Sequence, residues 1–149
     1  MTVWWIVLAL FIIALVILGG KEKKPKQQHT PIYSKAILTR RELQFFSVLQ
    51  EALPQVYIFP QVSFSAILNT KGFYTRSQFN RKIADFVLCD SNLNIVAIIE
   101  LDDSSHKGRE KQDAARDAML NEAGYPVLRY AQIPPSTQIR KDMRQWLKN

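Results

Sequence analysis

Hydrophobic positions follow three different rhythms along this chain. Residues 3–18 are unbroken apolar sequence, closed by Gly19 and Gly20 before Lys21. From residue 39 the rhythm becomes helical: Leu43, Phe46, Leu49 and Leu53 share one face, widened by Phe45 and Val48. Thr39-Arg40-Arg41-Glu42 has the S/T-x-x-E form of a capping box that opens such a helix, and Pro54 ends it. Residues 56–64 are β-rich, with Pro60 marking an edge or a bend. Residues 70–82 read as a loop with at most a short helix. Two dense apolar runs, 83–89 and 95–102, predict strands joined by the turn-rich Asp90-Ser91-Asn92-Leu93-Asn94. Residues 110–123 predict a helix, with Ala114/Ala118 and Ala115/Met119 at i+4 spacing and Gly124 as its stop. Residues 126–130 form a short buried strand. Ser136 is placed to cap a last helix whose apolar residues are Ile139, Met143, Trp146 and Leu147. No internal repeat is present.

The order of these elements divides the chain into an apolar segment (1–20), a basic polar linker (21–37) and one α/β domain (38–149). The apolar segment counts eighteen residues if its glycines are included, near the lower limit of ~17–25 for a membrane span. Trp4 and Trp5 at one end and lysines at the other suit interfacial anchoring. A cleaved signal peptide fits less well, because no charge precedes Val3 and Val16-Ile17-Leu18 is a poor cleavage site. The expectation is a single transmembrane helix in the bacterial inner membrane with the following domain in the cytoplasm. Lys21, Lys23, Lys24 and Lys26 would then lie near anionic lipid headgroups, or serve only as a solvated flank.

Net charge changes this picture little. Of the excess of +7, residues 21–35 carry +4, so the domain itself is only modestly basic. The single cysteine, Cys89, excludes an internal disulfide and a cysteine-based zinc cage.

Candidate chemistry lies in the two apolar strands. Asp85 interrupts the first; Glu100 and Asp102 interrupt the second, followed by Asp103 and His106. A buried carboxylate without a partner costs several kcal/mol or takes up a proton, so several together imply a cation. Glu100 and Asp102 share a face by alternation. A hairpin about Asn92 sets Asp85 opposite Ile99 or Glu100, and only the second register gathers all three carboxylates. Oxygen donors of this kind suit Mg²⁺ or Mn²⁺, and His106 is a candidate acid or base. The alternative is that these are turn or capping carboxylates and a solvated histidine.

Asp85-Phe86-Val87, Glu100-Leu101-Asp102-Asp103 and His106, then Asp113-x-x-Arg116-Asp117-x-x-Leu120 and Gly124-Tyr125-x-Val127-Leu128-Arg129, with Glu42 on the first helix, resemble the PD-(D/E)XK nuclease superfamily. The likeness is to its very-short-patch-repair-endonuclease-like branch. It is nearest to a bacterial family of unknown function often found behind a membrane segment, and it covers about residues 38–131. The resemblance implies a restriction-endonuclease-like α-β-β-β-α-β core with a mixed sheet flanked by helices. It implies that Asp85 is the central metal ligand and that Glu100 is a ligand or water-orienting base. Asp102 stands where the superfamily has its lysine. His106 would then assist proton transfer, with Lys82 as second choice and Glu42 as a further contributor.

Arg116 and Asp117 either brace that site or make ordinary helical pairs with Asp113. Arg129 either reaches the catalytic edge or exits to water. Arg76, Arg81 and Lys82, with Phe73, Tyr74 and Phe79, either contact phosphates and stack bases or form a basic loop with its aromatics in the core. The implied function is hydrolysis of phosphodiesters in nucleic acid, DNA first. The alternatives are an inactive nucleic-acid- or protein-binding module on the same fold, and a partner subunit acting through its basic tail.

Overall fold

A computed structural model describes residues 2–19, 29–102 and 110–147. Among these residues it forms six helices and four strands: α1 (Thr2–Gly19), α2 (Arg40–Ala52), β1 (Tyr57–Ser63), α3 (Phe64–Ile67), α4 (Phe73–Phe79), β2 (Ile83–Cys89), β3 (Ile95–Leu101), α5 (Glu110–Glu122), β4 (Val127–Tyr130) and α6 (Ser136–Met143). The chain divides into two compact units, Met1–Ser34 and Lys35–Asn149.

In the first unit the apolar segment is helical, as α1, but the expected membrane span is overturned. Among the described residues no helix is long and apolar enough to cross a membrane. The physical reason is length. The apolar stretch proper is residues 3–18, and counting Gly19 and Gly20 overstated it. At ~1.5 Å per residue it extends ~24 Å, against a hydrocarbon core of ~30 Å. The inner-membrane, single-pass placement with a cytoplasmic domain falls with it. Lys21, Lys23, Lys24 and Lys26 lie outside the described residues.

In the second unit, α2 begins with the capping box expected from sequence. Thr39 N–H donates to Glu42 Oε2 at 2.6 Å, and Glu42 N–H donates to Thr39 Oγ1 at 3.3 Å. Its apolar face delivers Phe45, Leu49 and Ala52 to the core. The sheet is mixed, in the order β1-β2-β3-β4, with β1/β2 and β2/β3 antiparallel and β3/β4 parallel.

Asp90 shapes the β2–β3 turn. Its Oδ1 accepts from the N–H groups of Asn92 and Asn94, both at 2.9 Å, and its Oδ2 accepts from Asn94 Nδ2 at 3.0 Å. Leu93 takes a left-handed φ of 64° inside it.

Alternation splits the sheet into two faces. Phe86, Leu88, Ala97, Ile99 and Leu101 pack with α2 and α6. Phe45 meets Phe86 and Tyr130 edge-on at 5.6 and 5.7 Å between centroids. On the opposite face Val87, Cys89 and Ile98 pack with Phe64, Phe79 and Leu120 from α3, α4 and α5. Tyr130 Oη donates to Asp142 Oδ2 at 2.8 Å, fastening β4 to α6.

Residues 70–82 hold one short helix, α4, as expected, while α3 at Phe64–Ile67 follows directly on β1. One expectation needs correction besides the span. Ser136 is not a cap: Pro135 occupies that position, and Ser136 Oγ instead donates to Glu51 Oε1 of α2 at 2.9 Å.

Candidate active site

Of the two registers open to the β2–β3 hairpin, the structure has the one that faces Asp85 toward Glu100. Phe86 pairs with Ile99, so one residue further on Asp85 stands opposite Glu100. Glu100 in turn pairs with Arg129 on β4. On the other side the β1–β2 ladder passes from Pro60↔Phe86 to Val62↔Ala84, leaving Gln61 across from Asp85. Gln61, Asp85, Glu100 and Arg129 therefore form one polar row across all four strands. The neighbouring row, Pro60, Phe86, Ile99 and Leu128, is apolar throughout.

Gln61 carries a φ of 55°. Left-handed backbone is unfavourable for a side chain with a Cβ, at ~1–2 kcal/mol, and the ladder is interrupted there.

Electrostatics follow from burial of this row. Glu100 is only 2 % exposed and is the one charged residue fully buried among the described residues. Arg116, on α5, places Nη2 2.7 Å from Glu100 Oε1 and 2.8 Å from Oε2. The same nitrogen donates to the Ile83 carbonyl, and the guanidinium lies 5.1 Å from the Phe64 ring centroid. Its Nε is buried without a hydrogen-bond partner among the described residues. Burial pushes the Glu100 carboxyl up to about 8; Arg116 opposes this and Asp85 adds to it.

Asp85 is also raised, first by burial and then by Glu42. The Leu101 N–H donating to its Oδ2 at 2.9 Å, with Arg116 and Arg129, works the other way. Among the described residues the other Asp85 oxygen accepts no hydrogen bond.

A second guanidinium closes the end of the sheet. Arg129 Nε and Nη2 donate to Asp117 Oδ2 and Oδ1 at 2.8 and 2.7 Å, a two-pronged clamp, while Nη1 donates to Asp102 Oδ1 at 2.7 Å. These bonds raise the Arg129 pKa further above its ordinary value. Arg41 donates to the Asp102 and Ala131 carbonyls at 2.8 and 2.7 Å, tying α2 to the same strand ends. Arg116 thus engages Glu100 and Arg129 engages Asp102 and Asp117, while Asp85 is held by a backbone N–H.

The sequence candidates distribute as follows. Asp85 and Glu100 are brought together, and Asp102 is held beside them by Arg129. Glu42 serves the capping box, yet its charge is felt at Asp85. Lys82 stands just before β2, where its carbonyl accepts from Phe64 N–H at 2.9 Å and its own N–H donates to the Phe79 carbonyl at 2.9 Å. Arg76 lies on α4, and Arg81 follows in the turn before β2, both outside the polar row. His106 and Asp103 lie outside the described residues.

Arg116 and Asp117 brace the site rather than pairing only along α5. Their sequence signal was two adjacent opposite charges on a helix facing an acidic strand.

Whether these residues suit a divalent cation is answered by the donor set. Among the described residues, no three His, Cys, Asp or Glu side chains gather to hold a metal by themselves. Mg²⁺ is usually held by one or two carboxylates, with water and substrate phosphate completing its shell. Asp85 and Glu100 supply that donor set, with one Asp85 oxygen uncommitted among the described residues, so the residues fit an open site and not a closed cage.

No curated protein and no solved structure matches the chain. Residues 34–146, the whole sheet with its helices and the polar row, match the family model described as "Protein of unknown function (DUF2726)", and the chain belongs to that family.

Proposed function

We propose that the polar row is the centre of a divalent-metal-dependent nuclease-like domain that hydrolyses phosphodiesters in nucleic acid, DNA first. The observation that carries this reading is the facing of Asp85 and Glu100 in one row of an otherwise apolar sheet. Both carboxyls are held above their ordinary range by burial despite two nearby arginines. Burial favours the protonated form of both carboxyls, and a cation bound between them would take the place of that proton. The likeness of Asp85-Phe86-Val87, Glu100-Leu101-Asp102 and His106 to PD-(D/E)XK nucleases supports the same reading.

In this account Asp85 and Glu100 would hold Mg²⁺ or Mn²⁺, which when bound would acidify a water and offset charge on the phosphoryl group. The chain's own residues do the rest. Arg116 holds Glu100 through both carboxyl oxygens, keeping that side chain in the row, where it would meet a cation held with Asp85. The Arg129–Asp117 clamp fixes Asp102 at the end of β3. Asp102 replaces the superfamily's lysine, so no lysine in the row balances the phosphate. His106 is retained, from sequence alone, as the group that moves a proton, and Lys82 as its substitute.

The test is cleavage of end-labelled single- and double-stranded DNA and of RNA by the full chain with Mg²⁺ or Mn²⁺. Wild-type protein cuts in this account, while Asp85→Asn and Glu100→Gln each lose at least about a hundredfold, the scale of a misplaced reacting group. Absence of cutting with either metal on all three substrates would defeat the reading.

A second reading is favoured by one observation, the engagement of both Glu100 oxygens by Arg116. If that pair is permanent, the row is an internal strut and the domain a binding module. Salt-sensitive nucleic-acid binding without turnover would mark it.

A further inference from the structure

The stretch between β1 and β2 bears exposed aromatics that the core does not use. Phe79, the last residue of α4, is buried with Phe64, Ala84, Val87, Ile98 and Leu120. At the other end of this short helix Phe73 is 89 % exposed and Tyr74 77 %. Their neighbours in sequence are all neutral or basic: residues 52–84 contain no Asp or Glu, but do contain Lys71, Arg76, Arg81 and Lys82, while Glu122 of α5 lines a hollow with Thr70 and Thr75. Among the described residues none of these four cations enters an ion pair. Arg76 has only a long bond, 3.4 Å, to the neutral Asn69 Oδ1.

α4 is also rooted beside the candidate active site. Its foot, Phe79, shares a cluster with Phe64, over which the Arg116 guanidinium lies, and Lys82 leads from it into β2, three residues before Asp85.

We infer that Phe73 and Tyr74 are a stacking platform for unpaired bases, with Lys71, Arg76 and Arg81 holding the phosphates of the same strand. The inference rests on the nuclease-like reading and narrows its substrate to single-stranded or locally opened nucleic acid. Exposed aromatic rings within a few residues of cations that make no ion pair among the described residues are complementary to such a strand, because every unpaired base offers a π-face and every phosphate a charge. Bases inside a duplex are already stacked on one another and offer no such face. The rings cost nothing in the fold, since neither packs into the core, and that distinguishes them from Phe79.

The experiment measures affinity of the full chain for short labelled oligonucleotides with all divalent metal chelated, so that association is read apart from cleavage. The probes are single-stranded DNA, single-stranded RNA and a fully paired duplex of the same sequence. The expected result is tighter binding of a single strand than of the duplex. Phe73→Ala with Tyr74→Ala should weaken it at least about tenfold, and Phe73→Trp with Tyr74→Trp should retain it. Arg76→Gln should lower the slope of log affinity against log salt by about one. The DNA and RNA arms identify which sugar the platform accepts.

Unchanged affinity in the double alanine variant, at an unchanged melting temperature, would overturn the inference. So would equal affinity for duplex and single strand. So too would a loss confined to vesicles of phosphatidylcholine and phosphatidylglycerol, which would make the rings a lipid contact. Asp85→Asn separates the two claims. Binding that survives in this variant while wild-type never cuts refutes the nuclease reading alone. Cutting that is abolished by Asp85→Asn but untouched by the double alanine refutes the platform alone.

Discussion

At the scale of single residues, the energetics centre on Glu100. Its folded pKa, about 8, stands well above its ordinary 4.5, so the native state binds a proton that the unfolded chain has released between those values. Stability on this account is greatest at the acid end of that window and falls as pH rises from about 4.5 to about 8, levelling above it. Asp85, also raised, adds to the same slope. Urea unfolding across this range should show the decline, and Glu100→Gln should flatten most of it.

Removing Arg116 leaves a buried carboxylate without its partner. Arg116→Ala should therefore cost about 1–3 kcal/mol, the penalty of an unsatisfied buried group that takes up a proton rather than staying charged, read as a lower denaturation midpoint with unchanged slope. The acidic residues of the row were legible in sequence because carboxylates inside apolar strands have few reasons to exist. Arg116 and Asp117 were legible only as two alternatives, since their partners lie on other elements and a helix pattern does not say what faces it. Gln61 gave almost no signal, because its place depends on the β1–β2 register.

At the scale of elements, local chemistry was the readable part. Thr39 and Glu42 specify the start of α2 within four residues, and the bonds they make are local ones. Thr39→Ala should destabilise the domain by about 1 kcal/mol, measurable as a shift in the melting temperature. Gly124 ends α5 at a φ of 84°, and a Cβ there would meet nothing within 4 Å. Gly124→Ala should thus cost about 1–2 kcal/mol from the backbone alone, and Gly124→Asn less. Where non-local contacts decide, sequence reading went astray. Ser136 looked like a cap, but Pro135 stands in that place and the hydroxyl serves Glu51 of α2. Two glycines made the apolar segment look long enough for a span that α1 does not provide. The residues between β1 and β2 lack a clear period because α3 and α4 are each too short to show one.

For the whole molecule, function follows from how the mixed sheet separates its two faces. One face, packed by α2 and α6, supplies the main apolar core. The other carries the polar row between α5 and the strands, with α4 at its border. The hairpin register joins these levels, since a one-residue slip would turn Asp85 to the face opposite Glu100.

Calorimetric titration of the full chain with Mn²⁺ and Mg²⁺, with Asp85→Ala alongside, tests the central claim most directly. The account predicts saturable binding to one class of site that releases protons, because cation and proton compete for Glu100. It predicts that this binding is lost in Asp85→Ala at an unchanged fold. Binding of equal strength in both proteins, or in neither, would contradict it and leave the polar row as an internal strut.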